Sequence, residues 1–185
     1  ILVILFHAEF KFENYVLFES GFIGVDIFFV LSGYLITKIL INDFQQYGKI
    51  NIIYFYERRI RRITPLLYFS IIILSAYSYF FLIQPLLIDY TEAALSSSLF
   101  FSNFYFYLNS IQYDSFNEKF MPLLHTWSLS VEAQFYLAIP FLYFFLFKLK
   151  TKYWIYPLIF LTSFSFVSVL FFNTFEESFA FYTII

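Results

Sequence analysis

The stretch LLHTWSLSVEAQFYLAIP, from Leu123 to Pro140, combines the apolar composition of a membrane helix with polar side chains inside it. Pro122 precedes it and suits the first turn of a helix, where a missing backbone N–H costs nothing. His125, Ser128 and Glu132 follow at spacings of three and four, so they share one face of the predicted helix. Imidazole and carboxylate groups are costly in hydrocarbon and normally face a cavity or partner helices. A polar seam between helices would explain any one of the three, but the set of three favours a site.

The composition places the whole chain in a membrane. Of its 185 residues, 61% are hydrophobic and 13% are charged, whereas soluble domains have about 25% charged residues. The net charge of −2 provides no field that would attract nucleic acid. The chain has no cysteine and only two histidines, and it lacks the HExxH spacing of metal-dependent hydrolases. We therefore predict an all-α, polytopic transmembrane helix bundle without a metal site.

Apolar runs separated by polar loops predict the individual spans. Ile1 to Ala8 is too short to cross a bilayer, which needs about 20 apolar residues. We interpret it as the end of a helix, and residues 1–185 as one partial membrane domain that is cut at both ends. Complete spans are predicted at residues 21–41, 64–83, 87–108, 123–147 and 153–172.

A basic segment lies between the first two complete spans. Residues 42–62 are predicted to be a wet loop, with an amphipathic interfacial helix over residues 50–63. Four arginines in this segment place it in the cytoplasm by the positive-inside rule, and they could contact lipid phosphate. Four arginines within five positions also favour a clamp for the phosphates of a cytosolic cofactor, because guanidinium groups bind phosphate in a bidentate manner. They are Arg58, Arg59, Arg61 and Arg62.

Lysines that follow the span at 123–147 conflict with this orientation. Simple alternation of the spans places Lys148, Lys150 and Lys152 outside, against the positive-inside rule. Either the arginines overrule this short cluster, or a segment between Leu87 and Glu132 is re-entrant. Irregular backbone is tolerated at membrane depth where protein or a cavity surrounds it. The sequence leaves both alternatives open.

Four stretches in a fixed order resemble the acyltransferase-3 family of membrane O-acyltransferases. They are LFHA at residues 5–8, GFIGVDIFFVLSGYLIT at 21–37, FYERRIRRITP at 55–65, and the stretch at 123–140. SNFYFY at residues 102–107 is also similar to the family. The chain departs from many members at Ala133, where they have a glutamate. The resemblance covers the N-terminal half of a family domain of roughly ten spans.

The resemblance implies an O-acetyltransferase of the plasma (inner) membrane. Its donor would be a cytosolic acyl-CoA, in most members acetyl-CoA, and no metal would be needed. Its acceptor would be a hydroxyl of a cell-surface glycan such as lipopolysaccharide O-antigen. The other partner would be membrane lipid, and nucleic acid is not expected. A different class, a transporter or channel segment with an intramembrane polar path, would also place ionisable residues within the spans.

The resemblance also implies roles for particular residues. His7 would be the general base, worth about 10²–10⁴-fold in rate, or would carry a transient acyl group. Asp26 or Glu132 would hold the tautomer of its imidazole, although Asp26 could equally be a charge that favours a helix N-terminus. The family's RxxR pattern, which would hold the phosphates of CoA, falls on Arg58–Arg61 or on Arg59–Arg62. His125 and Ser128 would contact the acceptor, and His125 could instead stabilise the oxyanion or hydrogen-bond within the bundle.

Overall fold

The computed structural model describes residues 3, 11–12, 15–16, 19–112, 122–149 and 153–175. Contacts divide the chain into two compact units, Ile1–Ile50 and Asn51–Ile185. Three described helices are long and apolar enough to cross a membrane. The prediction of an all-α chain, part of a transmembrane helix bundle, is confirmed.

The first unit is built around one long helix. Two-residue strands, β1 (Lys11–Phe12) and β2 (Tyr15–Val16), pair antiparallel and precede a 3-10 turn at Glu19–Phe22. Helix α1 then runs over Ile23–Tyr47. It continues six residues past the predicted end of the span, into the segment expected to be a loop.

Five helices lie in the described residues of the second unit. They are α2 (Ile52–Phe81), α3 (Gln84–Ser98), α4 (Ser102–Gln112), α5 (Thr126–Leu146) and α6 (Ile155–Phe175). The spans predicted at residues 123–147 and 153–172 correspond to α5 and α6 within a few residues. Two other predicted boundaries are wrong.

The first wrong boundary lies within α2, which is continuous through Pro65. The interfacial helix predicted at residues 50–63 and the span predicted from residue 64 are one helix of 30 residues. It begins after Asn51, whose side-chain oxygen accepts a hydrogen bond from the amide of Tyr54 at 3.1 Å. A proline in a helix interior removes one backbone hydrogen bond. Phe55 and Leu67, one on each side of Pro65, are both buried, so packing stabilises the helix on both sides of the proline.

The second wrong boundary is in the span predicted at residues 87–108, which is two short helices. At 1.5 Å per residue, the 15 residues of α3 and the 11 of α4 extend about 22 Å and 16 Å. Both lengths are below the roughly 30 Å of a hydrocarbon core. The Tyr105 hydroxyl donates to the carbonyl of Asp89 at 3.0 Å, so α4 folds back alongside α3. These two helices form a hairpin, and its tip is Leu99–Phe101.

Helix α5 runs antiparallel to α2. The Tyr56 hydroxyl donates to the carbonyl of Leu137 at 2.9 Å. Three turns further along α2, Tyr68 donates to the carbonyl of Ser98 at 3.4 Å. The hydroxyl of Ser97, the residue before Ser98, lies 2.7 Å from the hydroxyl of Thr126 at the beginning of α5. Moving forward along α2 therefore corresponds to moving backward along α5.

This arrangement bears on the conflict between the two basic clusters. Asn51 directly precedes α2 and Lys148 follows α5, so both lie toward the same end of the second unit. The α3–α4 hairpin takes the place of the single crossing that was predicted at residues 87–108. Helix α5 therefore runs in the opposite direction from the one that simple alternation of the spans predicts. The described structure thus favours the re-entrant alternative, in which both clusters satisfy the positive-inside rule.

Candidate functional site

The four arginines of α2 have different surroundings. The Arg58 guanidinium carbon lies 4.3 Å from the ring centroid of Tyr54 on the same helix. Arg61 is 78% exposed and forms an ion pair of 2.7 Å with Glu57, one turn earlier. Arg62 is exposed. Arg59, which is only partly exposed, turns toward α5.

Arg59 lies between two aromatic rings. Its guanidinium carbon is 5.4 Å from the ring centroid of Phe55 on α2 and 5.4 Å from that of Tyr136 on α5. Both rings are buried, and a cation over a ring face is attracted by the ring's electrons. The Nε of Arg59 is buried and has no hydrogen-bond partner within the described part of the chain. A buried donor without a partner is costly, so this nitrogen suits a bound acceptor.

Tyr136 connects Arg59 to a buried carboxylate. Glu132 is 4% exposed, and its Oε1 accepts a hydrogen bond from the Tyr136 hydroxyl. The two residues are one helical turn apart, so they share a face of α5. A buried carboxylate requires hydrogen bonds or an opposite charge. Tyr136 supplies the first, and Arg59, whose guanidinium lies over the Tyr136 ring, contributes the second.

An apolar cavity of about 460 Å³ opens beside Arg59. Three elements form its walls: the start of α2, the tip of the α3–α4 hairpin and the middle of α5. This volume lies within the range of small-molecule sites. The lining residues are Tyr56, Arg59, Ile60, Ile63, Thr64, Leu99, Phe100, Phe101, Ala133, Gln134, Tyr136 and Leu137.

Polar contacts fix the hairpin tip against α5. The Gln134 side-chain nitrogen donates to the carbonyl of Phe100 and to the side-chain oxygen of Asn103, each at 2.9 Å. Phe100 has a φ of 58°, in the left-handed region that side chains other than glycine rarely occupy. The Ser130 hydroxyl accepts from the amide of Ser102 at 3.2 Å and thus caps α4 from another helix. One wall of the cavity is therefore held by side chains of α5.

The three residues predicted to share a face of α5 have different surroundings in the structure. Glu132 is buried beside Tyr136, whereas His125 is exposed and lies before the first residue of the helix. The Ser128 hydroxyl donates to the backbone carbonyl of His125 at 3.1 Å. The three share a helical face in sequence, but that face is buried only from Glu132 onward. The roles predicted for the three residues stay predictions.

Two other predicted residues belong to the first unit. Asp26 lies in the first turn of α1 and is exposed, a position that suits the helix dipole. His7 lies outside the described residues. Among the residues that the structure describes, no group of three or more histidine and carboxylate side chains could hold a metal ion.

Sequence reasoning missed the parts of the cavity that come from distant positions. Tyr136 could have been found from its spacing of four from Glu132, since side chains at this spacing meet on a helix. Gln134 and Phe100 had no comparable signal, because their contact joins positions 34 residues apart.

These features define a class of protein: a membrane helix bundle with a part-buried arginine beside an apolar cavity. The chain belongs to the acyltransferase-3 family, whose model, described as an acyltransferase domain, matches residues 1–185. No solved structure matches the chain.

Curated relatives share about two fifths of the aligned residues. Peptidoglycan O-acetyltransferase OatA of Listeria monocytogenes is 41% identical over 142 residues, which cover 76% of this chain and 22% of that protein. O-acetyltransferase OatA of Staphylococcus aureus is 38% identical over 124 residues, covering 66% of this chain and 20% of that protein. Bacillus subtilis YrhL, provisionally named a peptidoglycan O-acetyltransferase, is 40% identical over 139 residues, or 75% of this chain and 21% of its own length. The chain spans about one fifth of the length of these relatives.

Proposed function

We propose that this chain is part of a membrane O-acetyltransferase that takes an acetyl group from acetyl-CoA and passes it to hydroxyls of a cell-wall glycan. The observation that carries this proposal is the position of Arg59, whose buried Nε–H has no partner among the described residues and lies beside an apolar cavity of about 460 Å³. An acyl-CoA has matching chemistry, since it joins anionic phosphates to a long arm that ends in an uncharged thioester. Family membership supports a transferase over a transporter.

The names of the relatives favour peptidoglycan as the acceptor. Two of the three named above carry peptidoglycan in their names, and none carries lipopolysaccharide. Both glycans present hydroxyls of similar reactivity, so the lipopolysaccharide O-antigen expected from the sequence becomes the less favoured acceptor. Both lie at the cell surface, which agrees with a site in the plasma membrane.

The four arginines divide between two tasks in this proposal. Arg59 lies at the cavity and would bind an oxygen of the donor, because a charge-assisted hydrogen bond is strongest where water is excluded. The surroundings of Arg59 favour the Arg59–Arg62 register of the RxxR pattern. Arg58 and Arg62 would contribute positive charge for the phosphates nearer to the aqueous phase, and Arg61, already paired with Glu57, would contribute least.

The chemistry requires a base, and His7 is our choice. A hydroxyl becomes a competent nucleophile when an imidazole accepts its proton as it attacks the thioester carbonyl. The carbon–sulfur bond then breaks, and the thiolate of CoA leaves. Alternatively, the His7 imidazole first receives the acyl group itself, which would suit relay across a membrane. A carboxylate would hold the imidazole in the required tautomer, and Asp26 is the candidate in the same unit as His7.

The test compares wild type with His7→Ala in cells that carry the full-length gene, at matched membrane levels. Ester-linked acetate would be released from purified peptidoglycan and, separately, from lipopolysaccharide where the host makes it. Lys38→Gln changes an exposed residue of α1 and is the control for effects of a substitution on expression and membrane insertion. Loss of acetate from peptidoglycan in His7→Ala alone supports the proposal. Unchanged esters in both glycans would remove His7 from the mechanism and make transport the better explanation.

A further inference from the structure

We propose that Glu132 and Tyr136 are positioning residues, which hold Arg59 turned into the cavity in the orientation that binds the acyl donor. This inference rests on the proposed function and gives the buried carboxylate a different task from orienting an imidazole. It follows from three observations: the slot that holds the guanidinium, the charges around it, and the residues that form the cavity wall.

The slot between the two rings sets the direction of the guanidinium. Phe55 comes from the same helix, four residues before Arg59, and would follow any movement of α2. Tyr136 comes from α5 and is therefore the ring that ties Arg59 to the other wall of the cavity. The hydroxyl of Tyr136 is bound to Glu132, which limits the tilt of its ring. The orientation of Arg59 thus depends on a contact that Arg59 does not make itself.

Glu132 is one of the groups that favour the positive charge of Arg59. Arg58 and Arg62 are close enough to oppose the positive charge of Arg59, while Glu132 favours it. Arg59 is also partly removed from water, and a desolvated cation needs an opposite charge. The carboxylate of Glu132, bound to the Tyr136 hydroxyl, supplies such a charge without forming a hydrogen bond to the buried Nε of Arg59.

The residues that line the cavity distinguish contact with the donor from positioning. Arg59 and Tyr136 line the cavity, but Glu132 is absent from the described residues that form its wall. Glu132 is also 4% exposed. A donor in the cavity would therefore meet Arg59 and the edge of Tyr136, and the influence of Glu132 would reach it through these two side chains.

The experiment measures CoA binding and acetyl-transfer kinetics on the purified full-length protein. Tyr136→Phe keeps the ring and removes the hydroxyl, and Glu132→Gln keeps a hydrogen-bond acceptor and removes the charge. Tyr143→Phe is the matched control, because Tyr143 is another buried tyrosine on α5, two turns further on, and does not line the cavity. Thermal unfolding of each variant shows whether it is folded, and Tyr136→Phe serves alone if Glu132→Gln does not fold.

We expect both variants to weaken CoA binding and to raise the KM for acetyl-CoA roughly tenfold, the effect of losing one well-placed hydrogen bond. The kcat should change less than about threefold, because an interaction made equally in the ground and transition states affects KM alone. Tyr143→Phe should leave both constants near wild type. The double variant Arg59→Lys, Glu132→Gln should weaken CoA binding by less than the product of the fold-losses in the two single variants, because the two residues act in one chain of contacts.

Three results would contradict this role. A kcat lowered about 100-fold or more by Glu132→Gln, with KM unchanged, would make Glu132 part of the chemical step. Wild-type CoA binding in folded Tyr136→Phe would show that the hydroxyl does not position Arg59. Absence of CoA binding by the wild-type protein would overturn the proposed function itself. Equal CoA binding by the wild type and all variants would instead overturn only the positioning role.

Discussion

Replacing Arg59 by glutamine should weaken acetyl-CoA binding roughly ten- to a hundredfold. Arg59 lies between two buried rings, and its buried Nε has no partner in the part of the chain that the structure describes, so a donor oxygen would complete a charge-assisted hydrogen bond there. Such bonds contribute about 1.5–3 kcal/mol, and each 1.4 kcal/mol corresponds to about a tenfold change in the dissociation constant. Lysine at this position should recover only part of the loss, because it lacks the planar fork that fits between the rings.

The same charge change at Arg61 should have a much smaller effect. Arg61 is 78% exposed and pairs with Glu57, which is itself 47% exposed. Exposed ion pairs contribute about 0–1 kcal/mol, so Arg61→Gln should weaken donor binding less than about fivefold. The two variants remove equal charge from the same helix two residues apart. Their difference therefore measures the surroundings of each guanidinium rather than the net charge.

The assay is equilibrium binding of CoA to the full-length protein in detergent, at several salt concentrations. Salt should reduce the effect of Arg61 more than that of Arg59, because exposed charges are screened more than buried ones. Equal losses in the two variants would refute the assignment of Arg59 to the cavity. A larger loss at Arg61 would favour the Arg58–Arg61 register of the RxxR pattern.

Two further predictions concern the fold. Ser130→Ala should lower the stability of the full-length protein by about 1–3 kcal/mol, because it leaves the first amide of α4 buried without an acceptor. Thermal unfolding should show a smaller loss for Ser98→Ala, whose hydroxyl donates to the carbonyl of Leu95 on its own helix. Single cysteines at Asn51 and at Lys148 in a cysteine-free protein should react with an impermeant maleimide from one side of the membrane, and a cysteine at Ile83 from the other; labelling of the first two from opposite sides would contradict the antiparallel arrangement of α2 and α5.

The helices that could be predicted from the sequence are those whose signal is local. A helix in a bilayer satisfies its own backbone hydrogen bonds, so a long apolar run is enough to locate α1, α5 and α6. The span predicted at residues 87–108 failed because two short helices with a tight tip have the same hydropathy as one long helix. Pro65 marked the beginning of a helix by its usual preference, but the buried side chains on both sides of it made the helix continuous.

The candidate site divides in the same way. An expensive carboxylate in an apolar stretch correctly indicated that Glu132 faces the interior. Helical spacing grouped it with His125, but spacing describes only angles around an axis and not where the helix begins or which face is covered. Four arginines close together predicted an anion site, and their spacing left two registers open.

By itself, the sequence determined that this protein lies in a membrane, that its spans are helices, and that its motifs are those of one acyltransferase family. These properties depend on composition and on the order of neighbouring residues, so no contact between distant positions is needed to recognise them. Only the tertiary structure decided which arginine turns inward, which tyrosine accompanies Glu132, and that the α3–α4 hairpin closes one wall of the cavity. Each of these depends on packing between positions far apart in the chain, where the free energy of burial is shared by both partners and is encoded by neither alone.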